Sequence, residues 1–331
     1  MNVYTELCSA IMQRVYSDME PVEMHQWLSD QVAKLSVTKD ESARLPWLDS
    51  FEVYNQLLDK RLAMSKLPPE ERKILTWPWK TWNNLIDPME PGLLAVLAGG
   101  DGVGKTIYAE VISEYWAKTG HNVVLAHFEL NRAIMLDRRA ARQTGIQRRR
   151  LKSGDFNPQE LNKLADMNDR LPGWKGGITY LHTPSWTMDQ LTDEARKLNS
   201  EGLCDVLVID YLEKSGWSSN QLKMYRGSSF QQEANNVEII KNFSEQTEIP
   251  TLMLAQMNKS GKTKDFGDLN RTDMRGAGEK SEKANIVILL HRESSESSVI
   301  NVRIDKNTLG ATGTFKQFIS GADFMVGDLQ Q

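Results

Sequence analysis

Residues Gly99-Gly100-Asp101-Gly102-Val103-Gly104-Lys105-Thr106 carry the spacing G-x-x-x-x-G-K-T. Glycines let a backbone turn sharply and aim successive N–H groups inward, where they meet phosphate oxygens. The start of a helix adds partial positive charge, Lys105 adds a full one, and Thr106 offers a hydroxyl to a magnesium ion. An apolar run, Leu93 to Ala98, precedes these residues and an amphipathic segment begins near Ile107. That is the strand–loop–helix setting that binding a nucleotide's phosphates requires. A Gly-rich surface turn, the bland alternative, gives no reason for those flanks.

Polar residues at the ends of apolar runs supply the rest of the chemistry, because strands of a parallel sheet end at the ligand crevice. Asp210 closes the run Val206-Leu207-Val208-Ile209 and suits a carboxylate that holds magnesium through water. Glu129 follows Val123 to Phe128, where a carboxylate can take the proton of a water attacking a γ-phosphate. Gln256 follows Thr251 to Ala255, from where its amide can sense the same phosphate. Together with the phosphate loop these form a site for ATP hydrolysis with magnesium.

From Leu93 onward apolar runs alternate with helical patterns, which predicts a parallel sheet covered by helices, an α/β nucleotide-binding core. Phe230, Ala234, Val237 and Ile240 mark one helix face, and the runs Ile286 to Leu290 and Val299 to Ile304 complete the expected set of strands. Upstream, Val3, Leu7, Ile11 and Val15, then Met24, Leu28, Val32 and Leu35, predict helices over residues 1 to about 46. A further helix runs from about Asp49 to Ser65 before Pro68-Pro69 breaks it. The expected division is a helical N-terminal region over 1–48, a linking helix and loop over 49–75, and the nucleotide-binding domain over 76–331.

With 331 residues and 40% apolar composition the chain fits one large globular domain plus a smaller one. No run approaches the ~20 apolar residues that cross a bilayer. Two cysteines, Cys8 and Cys204, make no disulfide framework and point to a reducing cytoplasm. A net charge of −4 excludes a generally basic nucleic-acid binder, so contact with nucleic acid must come from a local patch. The five histidines show no zinc-ligand spacing.

Several ordered motifs over roughly residues 75 to 325 resemble the DnaB-type replicative helicases, whose motor domain has the RecA fold. His127-Phe128-Glu129-Leu130 is similar to that family's second motif and puts its catalytic glutamate on Glu129. Val208-Ile209-Asp210-Tyr211-Leu212 matches its "VIDYL" segment, and Leu254-Ala255-Gln256-Met257-Asn258 is similar to "LSQLS". Asp273-Met274-Arg275-Gly276-Ala277-Gly278 is similar to the "DLRGSG" loop that faces DNA, and Lys306 to Gly313 to "KQRNGPTG". The resemblance implies a RecA-like P-loop NTPase core and a homohexameric ring moving 5′-to-3′ on single-stranded DNA. A loader or a primase would be further partners, in a bacterial or phage-infected cytoplasm. It also implies that Arg138 reaches the nucleotide and that Lys306 acts on a neighbouring subunit's ATP. The short N-terminal region is closer to phage or mobile-element versions.

One departure stands out. The family's arginine finger falls two residues after Lys306, where this chain has Thr308. Arg303 is near, but alternation along a strand places it on the face opposite Lys306 unless a bulge intervenes. For DNA phosphates, Arg275 with Gly276 and Gly278 is the favoured contact, and Lys259, Lys262 and Lys264 lie in the polar loop before it. Trp217, Tyr225, Lys223 and Arg226 mix aromatic and basic character after Asp210. The remaining arginines of the cluster Arg138, Arg139, Arg142, Arg148, Arg149 and Arg150 read as a solvated helix face and a subunit contact. Trp77, Trp79 and Trp82 read as packing at the entrance to the core. Two rivals stay open: a RecA-type recombination ATPase, and an ATP-dependent DNA-holding ring or loader that does not unwind.

Overall fold

A computed structural model describes residues 47–67, 74–294 and 296–329, together with Met24, Trp27 and Arg72. The chain divides into two compact units, Met1–Pro68 and Pro69–Gln331. In the first, the expected linking helix runs as α1, Trp47–Lys66, slightly longer than its apolar pattern suggested. The helices expected over residues 1 to about 46 fall outside the described residues, apart from Met24 and Trp27, which are both helical.

The second unit is built on a nine-stranded sheet. In chain order the strands are β1 (Leu94–Gly99), β2 (Asn122–His127), β3 (Gly177–His182), β4 (Val206–Asp210), β5 (Thr251–Gln256), β6 (Ile286–His291), β7 (Val299–Asn307), β8 (Gly313–Ser320) and β9 (Met325–Asp328). In space they lie β3-β2-β4-β5-β1-β6-β7-β8-β9. Neighbours from β3 to β6 pair in parallel and β6 to β9 antiparallel. The helices are α2 (Lys80–Asn83), α3 (Lys105–Lys118), α4 (Arg132–Thr144), α5 (Arg148–Ser153), α6 (Pro158–Arg170), α7 (Met188–Ser200), α8 (Ser219–Tyr225), α9 (Ser229–Thr247) and α10 (Ala277–Lys283).

Continuous apolar strands are the reason this sheet is buried on both faces. Odd and even residues of β1 divide between two cores: Ala95 and Leu97 join Tyr108, Ile112 and Trp116 of α3, while Leu94, Val96 and Ala98 join Leu191 and Ala195 of α7 and Val237 and Phe243 of α9. The indoles of Trp77, Trp79 and Trp82 are buried with Trp116 and Tyr108, as their packing role requires. Each indole N–H finds an acceptor, Trp79 at the Val326 carbonyl (3.2 Å) and Trp82 at Gln317 Oε1 (2.9 Å), so these rings tie the domain entrance to β8 and β9.

Three expectations need correction. The sheet does not end at β7: β3, β8 and β9 extend it, and none has the unbroken apolar run that announced the central strands. Two are the edge strands and the other is next to one, so burial is partial. The face of α9 also differs. Val237 and Ile240 are buried as expected, but Phe230 is exposed and the first turns bury Gln232, Glu233 and Asn236 instead. Finally, β6 and β7 lose register between Val287 and Ile288, which pair with Lys306 and Ile304 and leave Asp305 as an extra residue. The bulge puts Arg303 and Lys306 on the same face, not opposite ones.

Candidate active site

The loop between β1 and α3 is shaped by its glycines. Gly102 and Gly104 hold φ of 68° and 112°, a region that L side chains rarely adopt. A Cβ on Gly104 would drive into the Ile319 side chain of β8. Lys105, at the start of α3, is nearly buried, and its Nζ donates to the carbonyls of Gly99 (2.9 Å) and Gly100 (2.8 Å). Burial pushes its ammonium below the ordinary lysine range, while Asp210 and Glu213 pull it back up.

A pocket of about 510 Å³ opens here, lined by Asp101, Gly102, Gly104, Lys105 and Thr106 of the loop. Glu129, Arg138, Asp210 and Gln256 line the same pocket, so residues expected from separate strand ends do converge on one space. Gly100 and Val103 line a smaller cavity of about 270 Å³ beside it, and Gly99 ends β1 behind both. Asp210 is buried, with His127 Nδ1 at 3.0 Å from its Oδ2; the two residues are register partners on β4 and β2. That contact occupies one carboxylate oxygen and leaves the other for the pocket. Among the described residues no group of three His, Cys, Asp or Glu side chains forms a metal cluster. A donor set of one hydroxyl and one carboxylate suits magnesium, which takes few protein ligands and completes its shell with phosphate and water.

Sequence reasoning missed five pocket residues: Ile107, Tyr211, Arg292, Gly321 and Phe324. Burial, and then the nearby Glu129 carboxylate, push the Tyr211 phenol well above the ordinary range. Arg292 follows β6 directly, so the strand-end rule that found Gln256 reaches it as well. Phe324 and Gly321 sit in the β8–β9 turn, which carried no motif.

Arg138 enters this pocket with its guanidinium over the Phe324 ring, 5.1 Å from the centroid, and 3.6 Å from Glu110. The solvated reading of its neighbours is wrong for Arg142 and Arg139. The Arg142 side chain is buried: it donates to Glu110 Oε2 (2.8 Å), to Glu114, and to the Phe324 carbonyl (3.2 Å). Arg139 stacks on Trp174 at 4.5 Å. The reading holds for Arg149, which is exposed. Burial pushes the Glu110 carboxyl up, and Arg142 and Arg138 pull it down. Replacing Arg142 with alanine takes the closest cation from both glutamates, leaving Glu110 with Arg138 at 3.6 Å and Glu114 with the Gln143 amide. Removal of one partner from such a network costs about 3 kcal/mol or more. The expected result is a lower urea midpoint at unchanged m-value; an unaltered midpoint would show that Arg142 is dispensable to the fold.

Residues expected at DNA lie apart from the pocket but are linked to it. Lys262 is 2.5 Å from Asp101 of the phosphate loop and Lys264 is 2.7 Å from Asp273, so both pair within the chain; Lys259 is exposed. Arg275 is half exposed, its Nε 2.9 Å from Glu233, and its backbone N–H donates to the Gln256 carbonyl (2.8 Å). Gly276 turns left-handed at φ 61° to start α10, and Gly278 is exposed. Tyr225 donates to Asn235 Oδ1 (3.0 Å), an internal contact. Lys306 is not in the pocket: its Nζ donates to the carbonyls of Ser281 (2.8 Å) and Glu282 (3.0 Å). Arg303 anchors the preceding loop by donating to the Phe266 carbonyl (2.9 Å) and to that of Leu269.

A phosphate loop after β1, an acidic residue ending β4 and an amide ending β5, all on one mostly parallel sheet, define a RecA-like P-loop ATPase fold. Residues 77–322 match the model of the DnaB-like helicase C-terminal domain, and the chain belongs to that family. It is 26% identical over 241 residues to the replicative DNA helicase DnaB of Geobacillus stearothermophilus, covering 69% of this chain and 52% of that protein. A probable plasmid replicative DNA helicase of Chlamydia psittaci is 25% identical over 206 residues, covering 61% and 43%. The chain thus spans about half the length of these relatives. In fold it is similar to a solved DnaB-like replicative helicase studied with primase, with TM-score 0.76, 15% identity and coverage of 98% of this chain and 75% of that one. A second solved structure, of an ATPase domain, gives TM-score 0.65 at 17% identity, covering 73% and 86%.

Proposed function

We propose that this chain is an ATP-driven DNA helicase subunit that assembles into a homohexameric ring and moves on single-stranded DNA. The observation that carries the reading is a single path. Lys105, Thr106, Glu129, Asp210 and Gln256 share one pocket, and Gln256 is bonded through its backbone to Arg275 in the loop expected at DNA.

In this reading, loop N–H groups and Lys105 bind the β- and γ-phosphates, and Arg138 adds charge at the pocket's rim. Thr106 and Asp210 would hold magnesium, which supplies charge neutralisation between the phosphates. Glu129 takes the proton of the attacking water, with Tyr211 orienting its carboxylate. Gln256 registers the γ-phosphate and passes its loss to Arg275, Gly276 and Gly278, which contact DNA phosphates with Lys259, Lys262 and Lys264 nearby. Lys306 acts on a neighbour's ATP. Residues 76–331 form the motor, with 1–48 a helical N-terminal region and 49–75 linking the two. Loader and primase are partners of the same reading, and the site of action is the cytoplasm. Among the described residues no helix is long and apolar enough to cross a membrane.

The test is strand displacement on a forked duplex with ATP and magnesium, alongside electron microscopy of the protein on single-stranded DNA. Rings and ATP-dependent displacement are expected. ATP-dependent retention of DNA without displacement would instead establish the non-unwinding ring. One observation favours that second reading: Thr308 replaces the finger, and both the Lys306 ammonium and the Thr308 N–H are engaged by carbonyls of their own subunit.

A further inference from the structure

Lys280 lies in α10 with no exposed surface, and none of the chemistry above uses it. A buried ammonium persists when its three protons all find acceptors. Here Nζ donates to Glu213 Oε1 (2.6 Å), Glu233 Oε2 (3.2 Å) and the Arg275 carbonyl (2.7 Å). These acceptors come from three separate places: the turn after β4, the buried first turns of α9, and the loop before α10.

Two of those acceptors lead directly to functional groups. Glu213 Oε1 also accepts from the Gln256 N–H (3.0 Å), at the strand end that faces the nucleotide pocket. Glu233 Oε1 holds Arg275 Nε at 2.9 Å, and the Arg275 N–H returns to the Gln256 carbonyl (2.8 Å). A closed ring of bonds therefore runs from Gln256 through Glu213 and Lys280 to Arg275 and back. Two carboxylates face two cations, the buried Lys280 and the half-exposed Arg275, so the cluster is neutral. Gly276 makes room for it, since a Cβ there would stand 3.1 Å from Glu233 Oε2.

This arrangement links the two contacts. Arg275 holds Glu233 through Nε and its side chain is half exposed, so a DNA phosphate drawing on the guanidinium also pulls on Glu233, which Lys280 shares. In the other direction, any shift of the β5 end reaches Glu213, and through Lys280 the carbonyl of Arg275. Building on the DNA-motor reading, we infer that Lys280 is a positioning residue that couples the nucleotide state of the pocket to the grip of Arg275 on DNA. Coupling between two binding sites is reciprocal, so it is read as the ratio of DNA affinities with and without nucleotide.

The experiment uses the full chain, a dye-labelled oligo-dT followed by fluorescence anisotropy, and a non-hydrolysable ATP analogue. In the wild type the analogue changes DNA affinity by about 5-fold or more, the lower range for such coupling. In Lys280→Met the ratio falls towards 1, while analogue affinity measured without DNA stays within about twofold, far less than that coupling. Because Lys280→Met leaves Glu213 unpaired and can unfold the domain, the double variant Lys280→Met/Glu213→Gln is run beside it. It keeps the cluster neutral and leaves Glu233 with Arg275. Collapse of the ratio at a wild-type melting temperature supports the inference; a merely structural Lys280 would weaken both affinities and leave their ratio alone. A folded double variant with the wild-type ratio overturns the coupling role and leaves the motor reading standing. A wild type that binds no oligo-dT overturns the motor reading and this inference together.

Discussion

Replacing Lys105 with alanine lowers ATP turnover by about three orders of magnitude, the scale on which losing one preorganised charge at a phosphoryl or oxyanion site acts. That factor corresponds to about 4 kcal/mol of transition-state stabilisation. Lys105 is the cation whose ammonium already sits inside the loop, held by the Gly99 and Gly100 carbonyls. Burial depresses its pKa, so the fold bears a cost for keeping it there. Its absence should therefore leave thermal stability close to that of the wild type while turnover collapses. Steady-state phosphate release at saturating ATP, with a melting curve for the same preparation, separates the two effects. Undiminished release would remove Lys105 from the mechanism.

How far the site could be seen beforehand depends on where each residue gets its constraint. The phosphate loop is legible because local backbone geometry demands it: Gly104 must take φ 112°, and glycine is the residue that does so without strain. Asp210 and Gln256 are legible because the runs before them are apolar without interruption, which only a doubly covered strand allows. Phe324 and Gly321 are not, because they reach the pocket through the β8–β9 turn, a contact set by pairing at the far side of the sheet. The same limit hid Arg142. On its helix it reads as one more surface arginine, and only the packing of α4 against α3 turns it onto Glu110 and Glu114. The Arg303 side depended on a single extra residue in β7, which no periodicity reveals. Glu233 is similar: the first turns of α9 bury polar groups because two cations, Arg275 and Lys280, arrive to meet Glu233, and residues 215–221 supply neutral partners for Gln232 and Asn236.

Replacing Glu129 with glutamine separates binding from chemistry more cleanly than the Lys105 variant. The amide keeps the size of the carboxylate and can still meet the Tyr211 hydroxyl, but it has no basic oxygen for the attacking water's proton. Turnover falls by about 10²- to 10⁴-fold, the range that positioned proton transfer contributes. Affinity for ATP is retained, because the loop and Lys105, not Glu129, bear the binding contacts. The signature is a fall in kcat with the nucleotide dissociation constant unchanged, read by single-turnover hydrolysis and equilibrium binding of a labelled nucleotide. Tyr211→Phe should give a smaller loss of the same kind, since it orients the base without supplying it. Should Glu129→Gln hydrolyse ATP at the wild-type rate, Glu129 would be removed as the base. Loss of activity in Asp210→Asn would not move that role to Asp210, since its Oδ2 already faces His127 at 3.0 Å and the carboxylate is the expected metal ligand.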